Sequence, residues 1–118
     1  MKFYFRRHLP FLLTIFCFSN LALSQTAQEH FASNLAKAAL ERTTHSVRYD
    51  PAYVVLDYPG GDVPANTGVC TDVVVRSYRA LGFDFQKAVH EDMKANFSKY
   101  PTNWGLKRPD KNIDHRRV

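Results

Sequence analysis

The stretch "NTGVCTDVVVRSYRALG", Asn66 to Gly82, changes character at Cys70. Asn66, Thr67 and Gly68, with Pro64 just before them, suit a turn and not a helix interior. From Asp72 to Leu81 the apolar residues Val73, Val74, Tyr78 and Leu81 recur at close to helical spacing, and Gly82 supplies a stop. The pattern predicts a helix over Thr71 to Leu81, with Cys70 at or just before its first turn. Unpaired backbone N–H groups and the positive end of the helix dipole favour a thiolate at such a position, and the same N–H groups can receive a developing oxyanion. A plainer alternative has Thr67 or Thr71 capping the helix and Cys70 filling space below it.

What the thiol means depends on compartment. Residues 1 to 27, "MKFYFRRHLPFLLTIFCFSNLALSQTA", join a positive head (Lys2, Arg6, Arg7) to an apolar run from Phe11 to Phe18 and a small-x-small site at Ala22-Leu23-Ser24. That order reads as a secretory signal peptide over residues 1–24. Thr14, Ser19 and Asn20 break the run below the roughly 20 apolar residues that span a bilayer, so no stable membrane span is expected after cleavage. Cys17 follows Phe16 and not a small residue, which argues against a lipoprotein leader. The expected location is periplasmic or secreted.

Cleavage after Ser24 leaves Gln25 to Val118, 94 residues, enough for one small domain with little core to spare. It removes three positive charges and no acids, so the formal charge drops from +5 to +2. The basicity is therefore mostly targeting, and no nucleic-acid partner is implied. Cys17 leaves with the leader, so Cys70 has no internal disulfide partner. In an oxidising compartment such a thiol is buried, joined to another chain, or used.

A nucleophilic cysteine needs a base, usually histidine. His30 lies in a first helix, expected from about Thr26 to Arg42, whose inner stripe is Phe31, Leu35, Ala36 and Leu40. His45 follows in the connection. His90 belongs to a helix expected over Phe85 to Lys99 and reads as part of a solvated face beside Glu91 and Asp92. One cysteine and scattered histidines make no metal site, and no cofactor is expected. His115, in "RPDKNIDHRRV", follows a polar turn at the apparent start of an extended segment. A helix-borne cysteine preceding a strand-borne histidine is the order used in papain-like catalysis. An exposed histidine in a basic turn is the alternative. The remaining strand is expected at Tyr53 to Tyr58, giving an α+β fold.

The runs "YPGGDVP", "GVCTDVV", "VHEDM" and "PDKNIDHRR", within Tyr49 to Val118, resemble a family of exported bacterial proteins known as domain of unknown function 1287. That family is distantly similar to NlpC-type, papain-like cysteine peptidases, many of which cut peptide bonds in the bacterial cell wall. The resemblance implies Cys70 as nucleophile and His115 as base. It implies half of a papain-like fold over residues 25–118, helices on a small antiparallel sheet, incomplete at the C-terminus, because such a half-barrel continues through further strands. A shortened chain would hold its histidine loosely and lose activity.

On this reading the Cys70 N–H and Tyr58 are candidate oxyanion donors, Tyr58 being otherwise an ordinary strand aromatic. Asp72 is expected to cap its helix or meet Arg76, and Asp114 to face away from His115. Two functions follow: a cysteine hydrolase or acyl transferase acting on a peptide-like amide such as those of cell-wall peptidoglycan, or a non-catalytic exported module that keeps the fold to bind wall fragments or a protein partner. A cysteine bridging two chains is a third, weaker reading.

Overall fold

The structure, a computed structural model, describes residues 10–117, without the side chains of residues 10–24 and Trp104. Residues 1–9 of the expected leader thus lie outside the described residues. Two compact units divide the chain, one ending at Asn34 and the other beginning at Leu35. A helix, α1, runs Pro10–Arg42. Among the described residues no helix is long and apolar enough to cross a membrane. The expected inner stripe of α1 is not an inner stripe: Phe31, Ala36 and Leu40 are exposed. That reading required a sheet for the stripe to pack on, and the sheet is far smaller than expected.

The unit from Leu35 is a mixture of helix and a minimal sheet, broadly α+β. Its strands are β1 (Arg48–Tyr49) and β2 (Thr67–Gly68), paired in parallel and not antiparallel, with Arg48 opposite Thr67 and Tyr49 opposite Gly68. Helix α2 covers Cys70–Ala80 and α3 covers Phe85–Asn96, continued by a 3-10 turn at Phe97–Lys99. Both begin and end close to where periodicity placed them. Gly82, at φ 82°, turns the chain out of α2, and the Asp84 carboxylate caps α3 by accepting from the Lys87 N–H at 3.1 Å. Tyr78, Phe83 and Phe85 meet edge to face, with ring centroids 4.9 to 5.7 Å apart, and fix the α2–α3 corner.

The strand expected at Tyr53 to Tyr58 joins no ladder. Its alternation survives, with Val55 78% exposed and Leu56 5% exposed, so the segment is extended. Side chains take the place of a partner strand. The Leu56 N–H donates to Asn112 Oδ1 at 2.9 Å, and Gln86 Nε2 donates to the Asp57 and Lys111 carbonyls at 2.9 and 3.1 Å. Gln86 Oε1 accepts from the Gly61 N–H at 2.9 Å, so this wholly buried amide ties three separate segments together.

The interior is correspondingly polar. Leu56, Val63, Val75 and Met93 are its buried apolar residues, at about 1.5–3 kcal/mol each. Asp72, Ser77, Gln86, Asn112, Asp114, His115 and Arg116 are buried with them. The loop before β2 hangs on Arg76, which grips both Asp62 oxygens at 2.9 and 3.2 Å and reaches the carbonyls of Val63, Pro64 and Thr67. Arg79 adds bonds to Asp62 and to the Gly61 carbonyl.

Candidate functional site

Cys70 is the first residue of α2 and is exposed. Val69 stands at the N-cap in an extended conformation, and Asp72 reaches back to accept its N–H at 2.7 Å, half of a capping box. The threonines do other work. Thr67 Oγ1 donates to the Pro64 carbonyl, and Thr71 Oγ1 donates to the Arg116 carbonyl at 3.2 Å. Cys70 is therefore not a filler beneath a threonine cap. Its N–H lies among the first amides of the helix, which have no intrahelical acceptor.

His115 is not on a strand. Residues Asp114–Arg116 form a 3-10 turn that packs against α2 and α3. The turn arises because Asp110 and Asp114 bind local backbone: the Asp110 carboxylate accepts from the Asn112 N–H at 2.9 Å, and Asp114 accepts from the Asp110 N–H at 2.7 Å. Arg116 then locks the turn to α2, its Nε donating to Asp72 Oδ1 at 2.8 Å and its Nη2 to Asp72 Oδ2 at 2.9 Å, both side chains buried. Burial pushes the Asp72 carboxyl up, but Arg116 and the Val69 N–H outweigh it and hold the carboxyl below its ordinary value.

His115 is 7% exposed, and its Nδ1 has no partner. Burial, reinforced by the Arg116 guanidinium, pushes its imidazole below the ordinary value and so favours the neutral ring.

Two hollows divide these residues. A smaller one, about 170 Å³, is lined by Cys70, Val69, Tyr49, Pro51, Ile113 and Arg116. A larger cleft, about 370 Å³, has Thr71, Val74 and Val75 of α2 on one wall and His115 on another. Residues 70 and 71 and residues 115 and 116 thus split between the two, and no hydrogen bond joins the thiol to the imidazole. Val74 stands one turn beyond Cys70 on α2, yet of the two hollows Cys70 lines only the smaller.

Tyr58 lines neither hollow. Its ring meets His90 edge to face at 5.4 Å, with Lys111 Nζ 5.8 Å from its centre. Burial, then Glu91 and Asp84, push its hydroxyl pKa up.

His90 is the residue that sequence reasoning misplaced. Its side chain is only 14% exposed, and Nδ1 lies 3.0 Å from Asp114 Oδ2. It sits four residues after Gln86 and three before Met93, both buried, and that spacing was the available signal. Asp114 likewise faces inward, holding His90 and the Asp110 N–H. Among the described residues no group of three His, Cys, Asp or Glu could hold a metal ion.

Residues 36–118 match the family model described as Domain of unknown function (DUF1287). The uncharacterized protein YijF of Escherichia coli (strain K12) is 50% identical over 109 residues, 92% of this chain and 47% of the relative. The chain therefore spans about half the length of the curated relative it matches. No solved structure matches it.

Proposed function

This chain belongs to the DUF1287 family, and from that premise we propose that it carries the nucleophile and base of a cysteine hydrolase or acyl transferase acting on a peptide-like amide. One observation carries the reading. The exposed thiol at the start of α2 and the turn bearing a buried imidazole are fastened to one another by Thr71 and by the buried Arg116–Asp72 pair.

In the proposed reaction Cys70 Sγ attacks the carbonyl carbon as its proton passes to His115. The Cys70 N–H receives the oxyanion. Collapse breaks the C–N bond, His115 returns the proton to the departing amine, and a thioester remains. Water resolves it to an acid in a hydrolase, and an incoming amine resolves it to a new amide in a transferase. The thiol and imidazole close on one another as substrate binds, a tightening common in enzymes seen without ligand. The resemblance to NlpC-type, papain-like peptidases adds an exported setting and a wall peptide as one candidate substrate.

The test is incubation with an activated peptide ester followed by mass mapping. An acyl group on Cys70, absent from Cys70→Ser, is expected; acyl transfer only to lysines would refute the reading. The division of thiol and imidazole between two hollows favours a second reading, a module that binds peptide without cutting it. That reading expects Cys70→Ala to bind and function like the parent.

A further inference from the structure

We propose that the larger cleft holds one large apolar side chain of a peptide ligand and so selects the substrate. This deepens the reading above, on which the substrate is a peptide-like amide, by naming the group recognised next to the bond.

The cleft is apolar in its body: Val74, Val75, Phe85, Val89, Met93 and Leu106 line it. About 370 Å³ lies within the size range of small-ligand sites. A methyl side chain would leave most of it empty, whereas an aromatic one buries about 150–250 Å². A charged side chain would lose hydration there without a partner in the apolar walls.

One end is polar. Asp114, His115 and Arg117 all line the cleft, and each carries a buried atom without a partner: Asp114 Oδ1, His115 Nδ1 and Arg117 Nε. Asp114 and His115 are more than nine-tenths buried. Native interiors leave few such atoms. Because His115 is both a wall of the cleft and the proposed base, a side chain seated here brings the adjoining carbonyl toward Thr71 and Cys70. An apolar pocket with a few convergent polar groups is the expected form of such a subsite.

The experiment is titration of the full chain with N-acetyl-phenylalaninamide and with N-acetyl-alaninamide, followed by NMR of the histidine ring protons. The phenylalanine amide is expected to bind at least tenfold tighter, to shift the His115 signals, and to lose that advantage in Leu106→Asp. Leu106→Ala, which adds no charge, is expected to weaken it less, and circular dichroism checks that each variant is folded. Equal binding of the two amides, undiminished binding by folded Leu106→Asp, or binding that falls as protein concentration rises, which would put a second copy in the cleft, overturns the proposal. Cys70 acylation is read separately, so a chain that binds the amide but never acylates loses the enzymatic reading and keeps this one.

Discussion

Arg116 holds Asp72 through two parallel hydrogen bonds, 2.8 and 2.9 Å long, with both side chains out of solvent. Removing one partner strands the other's charge in the interior, a loss of about 3–5 kcal/mol. Arg116→Met is expected to fall in that range by urea unfolding. Asp72→Asn combined with Arg116→Met should recover part of the loss, since no carboxylate is left unpaired. A loss below about 1 kcal/mol, the scale of a surface pair, would show that the bridge does not hold the turn.

His115 predicts a pH dependence. Its folded pKa lies below 6.5, because burial and the nearby Arg116 and Arg79 outweigh Asp72 and Asp84, which favour the proton. The unfolded chain therefore takes up a proton that the folded chain refuses. The stability concerned is fully present above about pH 6.5 and is lost as pH falls through the folded value. Unfolding free energies measured from about pH 7.5 down to about pH 5 should decline more steeply in the parent than in His115→Gln. Parallel curves would contradict this.

Gly61 is closed in by backbone. A Cβ there would stand 2.2 Å from the Asp57 carbonyl oxygen and 2.8 Å from Leu56 Cβ. Gly61→Ala is expected to cost about 2–3 kcal/mol, as overpacking does. Gly82→Ala meets no atom within 4 Å and should cost only the left-handed conformation, about 1–2 kcal/mol. Chemical unfolding of the two variants tests the order, and a larger loss at Gly82 would reverse the assignment.

Gln86 anchors the extended segment that lacks a ladder. Gln86→Glu keeps the acceptor for the Gly61 N–H but loses the donor for the Asp57 and Lys111 carbonyls. Each stranded carbonyl costs about 1–3 kcal/mol. Hydrogen exchange at the Leu56 and Gly61 amides should quicken along with the loss of stability. Unchanged protection would mean that some other contact holds the segment.

The helices were legible because their signals are local: apolar residues recurring around Val74 and Tyr78, with Gly82 as a stop. The position of Cys70 at a helix start followed from the same signals. The strands were not legible, because alternation from Tyr53 to Tyr58 reports an extended backbone and says nothing about what receives its hydrogen bonds. Here Gln86 and Asn112, 29 and 56 residues away from their backbone partners, take that part. His115 was found by its order in the chain but misassigned to a strand, since in "PDKNID" the carboxylates of Asp110 and Asp114 bind nearby backbone N–H groups and close a turn. His90 was missed because the charges beside it, Glu91 and Asp92, suggested an exposed face, and Asp114 because a strand would have turned it away from His115. Spacing from Gln86 and Met93 was the better guide.

The most direct measurement is the rate at which p-nitrophenyl acetate acetylates Cys70 at pH 7, resolved from Cys17 by peptide mapping, in the parent and in His115→Gln. A working thiol and imidazole predict a fall of about a hundredfold in the variant, the usual worth of a general base. Equal rates in the two chains would contradict the account.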